Sequence, residues 1–184
     1  MKTIDDLLKE HGGEVSGYNL DPDKMSEHDK LLNRCKERSL YLLEQAAKPE
    51  SKLREKLVKS GRYSEEIIEE TMDFLKKYDY INDLRFAKQL IKHYSGSKSL
   101  REIEQKLYQR GVNQKDIKEA MAEFKDDELS EGAEMRAVKA AIYKKCKDPS
   151  ALDAEQKRKL YASLMRKGFS YSTVRNALSI EEDY

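Results

Sequence analysis

The chain has 184 residues and a formal net charge of +1; 39% of residues are charged, 38% hydrophobic, and there are two Cys, three Pro and no Trp. That balance excludes a collagen, a disulfide scaffold and a bilayer span, which needs roughly 20 consecutive apolar residues. A nearly neutral chain is also not driven onto nucleic acid by bulk charge.

The N-terminus, "MKTIDDLLKEHGG", has acids where a signal peptide has its apolar core, so no export and a cytoplasmic location are expected. Residues 1–28 read as a polar, partly disordered segment with one short helix at "IDDLLKEHG". Residues 1–30 hold eight acids against four bases, whereas 151–178 hold six bases against two acids. A local basic face is therefore compatible with the neutral total.

A first three-helix unit is expected over 29–79. Its leading helix runs from Asp29 to Ala47, "KPES" breaks the chain, and "LREKLVKSG" forms the middle helix. Ser64 is the expected cap of the helix that follows. A second unit, 80–126, opens with a helix over Asp83–Tyr94 and continues through a capping box at "SLRE". Its third helix is capped by Asn113. A third unit, 127–184, opens with a helix at about Glu131–Lys145 whose Ala133, Ala137, Ala140 and Ala141 form a small-residue face. "DAEQ" starts its middle helix, Ser170 or Ser172 caps the last one, and an acidic tail follows.

The three units repeat one pattern: apolar-x3-Leu-x3-Gly-x5-Ile/Val. Leu53, Leu57, Gly61 and Ile67 fill it first; then Ile103, Leu107, Gly111 and Ile117; then Leu160, Leu164, Gly168 and Val174. The i, i+4 pair marks one helix face, and the glycine fits the left-handed residue just past a helix end. Tyr63, Val112 and Phe169 follow the glycines and should pack back onto the core. The expected fold is all-α: three tandem three-helix repeats in an elongated, curved array.

No catalytic constellation is visible. His11, His28 and His93 are scattered, neither Cys has metal-ligand spacing, and no phosphate-binding Gly-Lys-Ser/Thr loop occurs. No enzyme activity, metal or cofactor is expected. The candidate partner-binding residues are basic and recur beside each turn glycine. They are Arg54, Lys56, Lys59 and Arg62; Arg101, Lys106 and Arg110; and Lys157, Arg158, Lys159, Arg166 and Lys167. Stacked units would align them into a stripe suited to an acidic protein groove or a phosphate backbone. Dipole-complementing cations at helix C-termini would place many of them there without any partner.

Three segments resemble the RecX family of bacterial recombination regulators. They are "RSLYLLEQAAKPESKLREKLVKSGRYSEEIIEETMDFLKKYDYINDLRFAKQLI", "LREIEQKLYQRGVNQKDIKEAM" and "YASLMRKGFSYSTVRNAL". The junction "YINDLRFA" at Tyr80–Ala87 is the most specific piece. The resemblance implies a monomer without cofactor or membrane contact. It further implies binding to the RecA–DNA filament, with a possible weak contact to DNA, and inhibition, for the most part, of strand exchange, ATP hydrolysis and coprotease function. Where many Gram-positive relatives carry a β-rich segment before the repeats, only about 30 polar residues stand here.

The alternative is a helix-turn-helix protein acting directly on duplex DNA, with "NQK" at Asn113–Lys115 opening a reading helix. Against it stand the large Leu four residues before each glycine and the phosphate-repelling "SEE" at Ser64–Glu66.

Overall fold

The computed structural model describes residues 25–127, 130 and 132–178; the expected helix at "IDDLLKEHG" and the acidic tail lie outside them. The described residues form nine α-helices and no strand. They are α1 (Glu27–Gln45), α2 (Glu50–Ser60), α3 (Glu65–Lys77), α4 (Asp83–Tyr94), α5 (Leu100–Gln109), α6 (Gln114–Asp126), α7 (Ala133–Tyr143), α8 (Ala154–Arg166) and α9 (Tyr171–Leu178). A short 3-10 turn at Pro149–Ala151, not expected from the sequence, precedes α8.

Local chemistry explains the boundaries. Ser64, Asn113 and Asp153 accept from the backbone N–H three residues on, and Asp153 forms the reciprocal capping box with Gln156. Ser170 rather than Ser172 accepts at the start of α9, from Thr173 N at 3.1 Å. At Ser99 the hydroxyl caps Glu102 N, while the Glu102 carboxylate bonds Lys98 Nζ at 2.7 Å. Gly61, Gly111 and Gly168 all have positive φ, as the turn demands.

The repeat pattern is the core pattern. Leu53, Leu57 and Ile67 lie in one cluster, Ile103, Leu107, Val112 and Ile117 in a second, and Leu160, Leu164, Phe169 and Val174 in a third. Three separate cores mean three small bundles in series, not one large one. The bundles nevertheless share edges: Ile81 closes the first core, and Ala133 of α7 joins the second.

The "YINDLRFA" junction is a local device. Ile81 is buried, Asn82 caps α4 by accepting from Arg85 N at 2.8 Å, and Ala87 enters the second core. Asp79 holds Asn82 and Arg85, whose hydrogen bonds keep its carboxyl below the usual range.

Neighbouring repeats meet at the start of one middle helix and the end of the next. Ser51 Oγ donates to Gly111 O at 2.7 Å. Ser99 Oγ donates to Lys167 O. Helix α2 has Pro49 at its cap position and no capping side chain of its own; its first N–H, from Glu50, donates to Asp83 Oδ1 at 2.8 Å. Asp83 on α4 thus caps α2 from the next repeat.

Burial, the dominant influence, raises the Asp83 pKa above 3.8, opposed by the Glu50 N–H. A raised carboxyl pKa means the native state binds the extra proton. Its stability contribution is complete below pH 3.8 and is lost as pH climbs through the raised value. Asp83→Asn keeps an acceptor oxygen and removes the charge. Urea denaturation from pH 3.5 to 7 should show the stability of the wild type falling relative to that of this variant as pH rises. A slope equal to wild type would count against the assignment.

Candidate functional site

Each joint between repeats leaves a groove beside it. The first, of about 500 Å³, is walled by the Lys52–Glu55–Lys56–Lys59 face of α2, by Lys48, and by Gln109 and Arg110 at the end of α5. Ala47, Pro49 and Phe86 supply apolar surface to it. The second, of about 630 Å³, is lined by Arg101, Glu102, Glu104, Gln105 and Tyr108 of α5, by Gln114 and Ile117 of α6, and by Arg166 and Lys167.

The two are equivalent places in the repeat. By the 50-residue offset Lys52 corresponds to Glu102 and Glu55 to Gln105; by the 57-residue offset Gln109 and Arg110 correspond to Arg166 and Lys167. Their chemistry differs. Five cations face one carboxylate in the first groove; three face two in the second.

The single carboxylate of the first groove is saturated. Glu55 accepts from Lys52 Nζ at 2.8 Å and Lys59 Nζ at 2.6 Å, and these bonds hold its pKa at about 2. Lys48 donates to Leu42 O and to Ala46 O (2.8 Å), closing the end of α1. Burial and the nearby Lys56 charge push the Lys48 pKa down. Arg110 lies over the Phe86 ring at 5.9 Å.

The structure thus gathers Lys56, Lys59 and Arg110 at the first groove, and Arg101, Arg166 and Lys167 at the second. Lys106 lies 5.6 Å from the Tyr94 ring. Arg54 is engaged within its own repeat, with both oxygens of Glu69 and with Glu50 at 3.3 Å. Arg62 is exposed just past Gly61. Lys157 is half-buried, and Lys159 pairs with Glu155 on the open face of α8.

Sequence reasoning missed Lys48, Lys52 and Phe86. The first two carried a signal: Lys48, Lys52, Lys56 and Lys59 are spaced 4, 4 and 3, which is one face of a helix and its approach. Phe86 carried none, because it reaches the groove from the next repeat.

Elsewhere, His28 Nε2 pairs with Glu70 at 3.0 Å, and Glu66 brings the trio's ligand atoms within 4.8 Å of one another on an accessible surface. Sequence spacing did not anticipate this, since it joins α1 to α3. The Cys35 thiol is buried, which raises its pKa. Among the described residues no helix is long and apolar enough to cross a membrane.

Three family models match the chain: RecX, first three-helix domain, over residues 35–75; second, over 82–121; and third, over 133–178. A Regulatory protein RecX of Clostridioides difficile (strain 630) is 32% identical over 157 residues, spanning 82% of this chain and 69% of the relative. One from Vibrio parahaemolyticus is 32% identical over 149 residues, spanning 80% and 92%. The crystal structure of RecX from Lactobacillus salivarius superposes with a TM-score of 0.66 at 20% identity, covering 82% of this chain and 96% of that one, a likeness of fold. With all three domains present in order, each supplying one of the three cores, the chain belongs to the RecX family of regulatory proteins.

Proposed function

We propose that this chain binds the RecA–DNA filament as a monomer and limits RecA's recombinase, ATPase and coprotease activity, performing no chemistry of its own. The supporting observation is the pair of equivalent, cation-bearing grooves at successive joints of a serial array. A series of like sites suits a partner that is itself a repeating polymer, because each repeat can meet an equivalent place on it. The cations favour acidic protein surface and steer the encounter.

Direct reading of duplex DNA is the weaker alternative. The first turn of α3 carries Glu65 and Glu66, which would face phosphates. Leu57, Leu107 and Leu164, four residues before each turn glycine, are fully buried packing residues.

The test is a titration of the chain against RecA's ATPase on single-stranded DNA. Inhibition is expected at substoichiometric or near-stoichiometric amounts of the chain. The double variant Arg166→Glu/Lys167→Glu, at the second groove, should need roughly tenfold more protein, a loss of about 1.4 kcal/mol. Unchanged ATPase at excess chain, with no co-sedimentation with filaments, would sink the proposal. Sequence-specific duplex binding at physiological salt, without RecA, would revive the alternative.

A further inference from the structure

The two grooves are equivalent in position but not in chemistry, and the difference names what the first one holds. Its rim carries Lys48, Lys52, Lys56, Lys59 and Arg110, and its one acid, Glu55, is already held by two of the lysines. Ala47, Pro49 and Phe86 line the groove as well. A volume of about 500 Å³ falls within the range of roughly 300–1,000 Å³ in which pockets bury a sizeable apolar group.

We propose that the groove between the first and second repeats is a docking site for an acidic polypeptide segment that inserts one large apolar side chain between Phe86 and the lysine stems. Charge complementarity selects the occupant. The excess cations call for carboxylates, and the apolar lining calls for a side chain that packs on it. A single-stranded nucleic acid would also satisfy the cations and stack a base on Phe86. The whole chain is nearly neutral, however, and α3 opens on two acids, which favours the peptide; the oligonucleotide probe below decides between the two. The aliphatic stems of Lys52, Lys56 and Lys59 add apolar wall while their ammonium groups stay in solvent.

The second groove lacks this combination. Glu102 and Glu104 stand among its three cations, so an acidic segment is attracted there less strongly than in the first groove. The serial array therefore carries one anion-seeking joint and one of mixed charge, which fixes the direction in which it would lie along a partner. This inference rests on the filament-binding reading for the identity of the partner, and on the groove alone for its chemistry.

The test uses the full chain and two fluorescein-labelled peptides by anisotropy. One is EEDLFEED; the other has Leu and Phe replaced by Ser. A labelled (dT)20 oligonucleotide is the third probe. The apolar acidic peptide should bind at least tenfold tighter than its serine version. Lys56→Glu/Arg110→Glu should weaken its binding at least tenfold, whereas Lys139→Glu, on the exposed face of α7, should leave it unchanged. Equal affinity for both peptides, undetectable binding of either, or tighter binding of (dT)20 that the double variant abolishes would each overturn the proposal.

Co-sedimentation with RecA filaments separates the two readings. Peptide binding without filament binding would overturn the RecA partner and keep the groove. Filament binding that Lys56→Glu/Arg110→Glu does not weaken would overturn the groove as the docking site and keep RecA.

Discussion

Leu107→Ala is expected to destabilise the protein by about 2–5 kcal/mol, the range for truncating a buried Leu. Leu107 has no exposed surface and sits in the second core between Ile103 and Val112. Its backbone carbonyl also accepts from Arg110 N and Val112 N, so it anchors the turn through Gly111. Gly111 in turn receives Ser51 from the first repeat, and Arg101 and Ser99 on the same helix receive the third. A cavity at Leu107 therefore loosens the middle repeat and both joints together. In a serial array, loss at the middle should separate the unfolding of the end repeats. Urea unfolding followed by circular dichroism should show a lower midpoint and a broader transition than the equivalent Leu164→Ala in the last repeat. A Leu107→Ala transition as sharp as wild type would contradict this coupling.

The helices were legible because their signals are local. Leu53 and Leu57, Ile103 and Leu107, and Leu160 and Leu164 are all core residues, and the i, i+4 spacing that marks them needs no knowledge of the rest of the chain. The range Asp83–Tyr94 is the observed one, since Asn82 caps it and Ser95 and Gly96 end it. The leading helix of the third unit is shorter than its expected range at both ends, because Gly132 in a left-handed conformation starts it and the chain leaves it at Lys144.

The site was legible only as a list of cations. Lys56 and Arg110 line one groove because Ser51 docks on Gly111, a hydrogen bond between residues 60 apart in sequence. Arg54 shares a helix with Lys56, yet its guanidinium is occupied by Glu69 from α3. Helix periodicity gives each residue its face; which faces meet depends on how helices cross, and that is set by packing across repeats.

The turn glycines should differ in what they tolerate, and the difference isolates the joints from the turns. All three have positive φ, so alanine at any of them carries a backbone penalty of about 1–2 kcal/mol. At Gly61 a Cβ would meet nothing within 4 Å, so Gly61→Ala should show that penalty alone. At Gly111 the new Cβ would clash with Ser51 Oγ, a group that can rotate away at the loss of its hydrogen bond. At Gly168 it would lie 2.7 Å from Arg101 Cβ, which is fixed to the α5 backbone. Gly168→Ala must therefore move a helix, adding about 1–3 kcal/mol of overpacking. The expected order of urea midpoints is Gly61→Ala highest, Gly111→Ala next and Gly168→Ala lowest. Rescue experiments sharpen the argument. Ser51→Ala should recover part of the Gly111→Ala loss, because it removes the crowded oxygen. Arg101→Ala should recover little of the Gly168→Ala loss, because the Cβ that clashes remains; only Arg101→Gly clears the space, at a helix-propensity cost of about 1 kcal/mol. Equal losses at Gly61 and Gly168 would mean that the second and third repeats do not touch here in solution. The joint that aligns the two grooves would then be looser than the packing of Arg101 against Gly168 requires.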